Sequence, residues 1–355
     1  MVVFPQNAGT PDWVRNIEKN SAVKVYGGGA VVSGTARKRE VRDLKDPLLA
    51  IFVRKYGETE VRKRYWGQHT YIEIEILSRI ESTDYADLFY SDLEAAFDGV
   101  AEHYDQHILG NPMNMWLRNR SVEILAGAFL PGDLVLEIGC GTGTETLQLA
   151  ERGVKVIASD LSSKMLAVLE SKAEKMGLTG MVTPLHARPY MLKQKLRELG
   201  YGQLDGAYST YGAINTDPNL PLLFSDLHSI LRPGGTLVLG VWNKFCLYEM
   251  VGYSMRMRPG MAVARLKNPV PVGKSRFCVP STAYSVGSLN RLIRGSFELK
   301  KVTGVEIVLP PSNLTRYLPR EPLRSLIRRI DVSLGVHYPW NRLGDHFLGV
   351  YSRRA

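Results

Sequence analysis

Between residues 133 and 242 the chain alternates short apolar runs with amphipathic stretches, and this alternation restricts the fold more than any other feature. "DLVLEIG" and "VKVIASD" have strand length and end at a glycine or an acid, and "MVTPLHA", "LDGAYS" and "GTLVLGVW" repeat that character. Between them "TETLQLAERG" reads as a helix closed by Gly153. "SSKMLAVLESKAEKMG" reads as a helix capped at Ser162 or Ser163 and ended by Gly177. "NLPLLFSDLHSILRPGG" is a helix stopped by Pro233 and two glycines. Strands separated by helices must cross over and run parallel, so the pattern predicts an α/β, doubly wound, mostly parallel sheet with helices on both faces. Upstream, "AAFDGVAEHYDQH" and "MNMWLRNRSVEILAGAF" have helical period. Downstream, "TGVEIVLPP" and "DHFLGVYSRR" read as strands, the second expected to pair antiparallel at one edge of the sheet.

Residues 1–80 have a different texture. "AVKVYGGGAVVSGTARKREV" alternates and turns at Gly27–Gly29 as a hairpin would, "DPLLAIFVRKYGETEVRKRYW" reads as a helix, and "TYIEIEIL" alternates strictly. A polar, acidic segment follows, so the expected organisation is a small α+β domain over 1–80 and a larger one over 81–355. The charge follows the same division: net +5 over residues 1–80, −8 over 81–250 and +13 over 251–355. The basic tail is suited to an anionic membrane surface, a polyanion or an acidic substrate. No zinc finger, basic zipper or RNA-binding aromatic motif accompanies it, so nucleic acid is not the expected partner. The three cysteines, Cys140, Cys246 and Cys278, form neither a disulfide framework nor a metal-ligand spacing, and no metal is expected. No apolar run reaches membrane-spanning length and the start lacks a signal-peptide pattern, so the expected location is cytoplasmic.

The turn in "LVLEIGCGTGTETLQLA" carries the chemistry. Gly139, Gly141 and Gly143 are spaced G-x-G-x-G, unlike the dinucleotide fingerprint, and no Lys-Ser/Thr pair follows as in a phosphate loop. Glu137 stands two residues before the first glycine, where a carboxylate facing a phosphate is repulsive and one facing an ammonium is favourable. Asp160 ends the next strand, at the carboxyl edge where ligands bind in such sheets, and can accept hydrogen bonds from two ribose hydroxyls.

These stretches, with "ASDLSSKMLAVLESKA" and "LRPGGTLVL", resemble the three best-known motifs of class I S-adenosylmethionine-dependent methyltransferases, over about residues 90–355. The resemblance implies a Rossmann-like seven-stranded sheet and S-adenosylmethionine as cofactor. It implies Glu137, Gly139, Cys140, Gly141 and Gly143 around the methionine end, Asp160 on the ribose, and Leu161 and Met165 near adenine. Many relatives place an acid after the third strand; here Ala187 and Arg188 occupy that region, so backbone would read the adenine. "FDGVAEHYDQHI" resembles the helix lying over the cofactor in small-molecule methyltransferases, which puts Tyr104 near the cofactor and makes Arg118 a partner for its carboxylate. Methyl transfer from a sulfonium needs proximity and orientation above all, and a base only if the acceptor arrives protonated; His103 and Tyr211 are the candidates. "YSTYGAINTDPNL" resembles the acceptor loop of small-molecule enzymes and offers Ser209, Tyr211 and Asn215. The insertion over 243–285 is rich in Met and aromatics, and as a lid it would bring Tyr248, Met255 and Arg256 to a small apolar or anionic acceptor.

"NAGTPDWVRNIEKNSAVKVYGGG" and "YGETEVRKRYWGQHTYIEIEIL" resemble the later half of deazaflavin-dependent nitroreductase-like split β-barrels. The strands that carry that family's phosphate-binding residues would precede Met1, so an intact flavin site is not expected, and the open barrel edge is expected to pair with a second copy or to pack on the larger domain. Two other readings stay open from sequence: a cofactor-binding assembly protein without turnover, and a methyltransferase for RNA or another polyanion.

Overall fold

The computed structural model describes residues 2–3, 17–27, 30–40, 70–81, 85–267, 270 and 281–354. The chain divides into two compact units, Met1–Phe89 and Tyr90–Ala355.

The first unit holds a four-stranded antiparallel sheet of β1 (Val2–Val3), β2 (Ala22–Gly27), β3 (Ala30–Glu40) and β4 (Thr70–Glu81), in the order β1-β4-β3-β2. The β2–β3 hairpin closes where Gly27 meets Ala30, as the glycine run predicts. Alternation turns Ile72 and Ile74 of β4 inward, where they meet Ala36, Ile17 and Val23. The helix expected over "DPLLAIFVRKYGETEVRKRYW" lies outside the described residues.

The second unit is built on seven strands in the order β10-β11-β9-β8-β5-β6-β7. The five strands β5 (Leu134–Ile138), β6 (Lys155–Asp160), β7 (Val182–His186), β8 (Leu204–Ser209) and β9 (Leu231–Trp242) run parallel. The last two, β10 (Phe297–Val305) and β11 (His346–Arg353), run antiparallel to their neighbours. Successive residues of the central strands face opposite layers. Leu136, Ile157 and Leu237 pack against Leu223, Leu227 and Leu289, whereas Val135, Val156 and Val238 pack against Leu117, Leu149 and Leu169. Caps fix the helices. Asn111 accepts from Met113 N–H (2.9 Å) at the start of Pro112–Ala126, and Ser162 accepts from Met165 N–H (3.1 Å) at the start of Ser163–Lys175.

The C-terminal strands depart from the sequence reading. The strand "DHFLGVYSRR" is not at the edge; it lies between β9 and β10, because Phe347, Leu348 and Tyr351 are buried. The edge is β10, which starts at Phe297 and exposes Glu298, Lys300 and Lys301, the charged edge that resists further pairing. Most of "TGVEIVLPP" has left the sheet: the Asp331 carboxylate accepts the N–H groups of Glu306, Ile307 and Val308 at 2.7–3.0 Å. The stretch read as one helix over "AAFDGVAEHYDQH" breaks near Gly99 into the end of Tyr85–Asp98, a short turn over Ala101–His103 and the helix Tyr104–Leu109.

Candidate active site

The glycine turn sits at the carboxyl end of β5 and is held from three sides. Gly139 and Cys140 donate their N–H groups to Ser159 O at 2.9 and 3.0 Å. Asp160 accepts Gly141 N–H through Oδ2 and Ser162 N–H through Oδ1, both at 2.8 Å. Thr142 donates to Asp105 (2.5 Å), which also pairs with Lys172, so the helix Tyr104–Leu109 is tied over the loop. Two glycines are obligatory here: Gly139 (φ +74) would place a Cβ 2.6 Å from Ala213 Cβ, and Gly143 (φ +81) would place one 2.1 Å from Leu169 Cδ1.

A cavity of about 910 Å³ opens beside this turn. Of the residues singled out from sequence, Gly139, Cys140, Gly141, Asp160, Leu161 and Met165 line it. His103, Tyr104, Arg118, Ala187 and Tyr211 line it as well. At the donor end Arg118 is buried and paired with Glu145 at 2.5 Å, and its guanidinium lies 4.3 Å from the centre of the Tyr211 ring. Tyr211 holds a left-handed backbone (φ +55), unusual for a bulky residue, and its ring stacks on His346. Burial pushes the Asp160 carboxyl upward against its three backbone hydrogen bonds, and burial raises the Cys140 thiol. An apolar part of the wall is formed by Leu93, Phe97, Val100, Ile214 and Leu223.

Several expected residues stand elsewhere. Glu137 does not line the cavity: its buried carboxyl accepts from Thr146 and from Tyr208 OH (2.8 Å), and burial together with the Glu145 carboxylate holds its pKa at about 8. Its part is to brace the loop from behind, not to face an ammonium. Gly143 makes the helix contact described above, and Ser209 spends its hydroxyl on Ile138 O (2.8 Å). Both amide ends of Asn215 are taken by backbone: Trp242 N–H donates to it at 2.9 Å, and it donates to Trp242 O and Thr282 O. It latches the acceptor loop to β9. Arg188 donates to Ser91 Oγ at 2.9 Å and is also off the cavity wall.

The insertion contributes none of its expected residues to the cavity. Tyr248 and Arg256 lie off the wall, with Arg256 over the Tyr317 ring at 4.1 Å, and Met255 is 80% exposed. The insertion is tied down instead through Arg265. This buried residue pairs with Glu249 (2.7 Å) and with Asp345, and Asp345 in turn bonds His346 Nδ1 (2.7 Å). Asn313 on the cavity wall donates to Glu249 at 3.2 Å.

Several wall residues escaped the sequence reading, four of them polar or charged groups that matter here. Asn114, one turn before Arg118, and Glu145, just past the last glycine, complete the donor end. Their positions on flanking helices were the available signal. Tyr90 and Asp217 form a buried pair in the cavity wall, the phenol donating to the carboxylate at 3.1 Å, although 127 residues separate them. Burial raises both groups.

Comparison with known proteins agrees with this geometry. A methyltransferase-domain family matches residues 135–235. A demethylmenaquinone methyltransferase of Beutenbergia cavernae is 30% identical over 154 residues, 43% of this chain and 58% of that protein. The chain thus spans little more than half of that relative. An uncharacterized protein of Haemophilus influenzae is 37% identical over 182 residues, 49% of this chain and 70% of its own length. Among solved structures, the [4+2]-cyclase SpnF aligns with a TM-score of 0.48 at 16% identity, over 75% of this chain and 96% of that one. Residues 135–235 thus match a methyltransferase domain, and the named relatives that align over it include methyltransferases.

Proposed function

We propose that the chain transfers a methyl group from S-adenosylmethionine to a small, mainly apolar acceptor bound in the same cavity. The observation that carries this is the cavity: about 910 Å³ joins the glycine loop to an apolar wall, near the upper end for small-molecule sites and so large enough for donor and acceptor together.

The wall suits the cofactor. Asn114 Oδ1, Arg118 Nε and Glu145 Oε1 are buried without a hydrogen-bond partner in the protein. A buried donor beside two buried acceptors matches an amino-acid head group, with its carboxylate on Arg118 and its ammonium on Glu145 and Asn114. Asp160 would take the ribose hydroxyls, and Leu161, Met165 and the Ala187 backbone the adenine. When bound, the cofactor supplies an electrophilic methyl on a sulfonium. The residues of the chain exclude water and align the acceptor with it. For an acceptor that arrives protonated, His103 and Tyr211 remain the candidate bases, and the Tyr90–Asp217 pair is the polar handle that orients it in the apolar wall.

Calorimetry with S-adenosylmethionine and S-adenosylhomocysteine tests the donor site; folded protein that binds neither removes the reading. Radiolabelled cofactor offered to separated lipid, small-molecule, RNA and protein fractions tests the acceptor. A demethylmenaquinone, the acceptor in the name of the Beutenbergia relative, is an apolar compound to try first. Label entering RNA alone would replace this reading with the polyanion one.

We also propose that the first unit self-associates through its sheet. Among the described residues β4 meets β1 only at Ile72 and Glu73 and leaves Ile76 and Leu77 exposed. Strictly monomeric protein in light scattering at micromolar concentration would remove that assignment.

A further inference from the structure

The helix Leu323–Val336 is packed inside out. Its inward side carries Asp331, which binds three backbone N–H groups after β10, and Gly335, where a Cβ would stand 2.5 Å from Gly304 O. The same side includes Arg328, whose guanidinium lies 5.0 Å from the centre of the Trp116 ring. Polar and small residues, flanked by the half-buried Ile327, Val332 and Leu334, hold the helix to the protein. The outward side is apolar: Leu323, Leu326 and Ile330, spaced three and four apart on one face, are 52%, 55% and 43% exposed. Just beyond the helix, Tyr338 and Trp340 are exposed as well. An amphipathic helix on a soluble protein ordinarily turns this face to the core.

Charge selects the occupant of this face. Arg316, Arg320, Arg329 and Arg342 are exposed in the segment that carries it, whereas between residues 312 and 344 Glu321 is the exposed acid. The block 251–355 carries +13. A second copy presenting the same basic segment would be repelled. A surface that is apolar beneath and anionic at its border satisfies both features, and exposed aromatics beside a basic apolar helix fit the interfacial zone of a bilayer.

We infer that the helix Leu323–Val336 docks the protein on anionic lipid bilayers, lying in the interface with Leu323, Leu326 and Ile330 inserted and the arginines on headgroup phosphates. The short helical turn Ser312–Tyr317 that precedes it supplies Ser312 and Asn313 to the cavity wall, Asn313 ten residues along the chain from Leu323. The inference rests on this surface and not on methyl transfer; vesicle binding and cofactor binding fail independently.

The test is co-sedimentation of the full chain with vesicles of phosphatidylglycerol and phosphatidylcholine in equal parts, against phosphatidylcholine alone. Binding is expected to the mixed vesicles, to weaken with salt, and to be at least about tenfold weaker to phosphatidylcholine. The variant L326E/I330E should abolish binding, and R320E/R329E should reduce it by about tenfold or more, with thermal melts unchanged because all four side chains are exposed. No binding by the native protein, equal binding to neutral vesicles, or native-like binding by L326E/I330E overturns the inference. So does a dimer in light scattering that L326E/I330E dissolves, which would assign the face to a second copy.

Discussion

Two parts of the cavity are built by opposite means. The glycine-loop side is buried and closely bonded: Gly139 and Gly143 leave no room for a Cβ, Asp160 holds the N–H groups of Gly141 and Ser162, and Arg118 and Glu145 are paired out of water. The apolar part of the wall carries one polar pair, Tyr90 and Asp217, and Tyr248, Met255 and Arg256, expected to cover it, lie off the wall. A site that must bind one cofactor can spend strain and buried charge on it. An acceptor site can be recast by changing a few apolar side chains.

Four substitutions break or sharpen this contrast. The largest effect is expected at Glu145→Ala, which leaves the buried Arg118 guanidinium uncompensated: a loss of about 3–5 kcal/mol in urea unfolding, where a truncation in the apolar wall such as Leu93→Ala should stay at the lower end of large-to-small core changes. Next is Glu137→Gln, read against pH. The native carboxyl is held at about 8 against an ordinary value near 4.5, so the folded state keeps a proton that the unfolded state releases between these values. The stability this contributes is complete below about pH 4.5 and is lost as pH rises through 8. Unfolding at pH 5 and pH 8 should show the wild type losing on the order of 2–4 kcal/mol more than the variant; parallel losses would mean that Glu137 is ionised in the folded protein.

Asp160→Ala should weaken S-adenosylmethionine binding by about 1.5–3 kcal/mol in calorimetry if the ribose contacts are charge-assisted, and unchanged affinity would take Asp160 out of the site. Asp217→Asn should lower kcat about tenfold while leaving cofactor affinity alone, since the change lies in the apolar part of the wall. A fall in cofactor affinity there would erase the distinction between the two parts.

Much of this was legible in the sequence because it is local. The parallel strands follow from apolar runs between capped helices, and the hairpin at Gly27 and Ala30 from its glycines. The cavity positions of Gly139, Gly141, Asp160, Leu161 and Met165 follow from a strand–turn–helix unit whose geometry is set within about thirty residues. By itself, then, the sequence determined the parallel strands, the glycine loop and the likeness to a methyltransferase domain.

Tertiary structure decided what depends on distant partners. Glu137 stands at the strand end the motif requires, yet Thr146 and Tyr208 claim its carboxyl; Asn215 was lost to Trp242 and Thr282 in the same way. The place of β11 inside the sheet, the Tyr90–Asp217 pair, the anchoring of the insertion by Arg265, and the apolar side of Leu323–Val336 turned to solvent are likewise invisible to periodicity. The physical reason is common to all of them. A pattern along the chain says which residues share a face, but which face is buried, and which hydrogen-bonding groups are already spent, is settled only when segments far apart in sequence pack together.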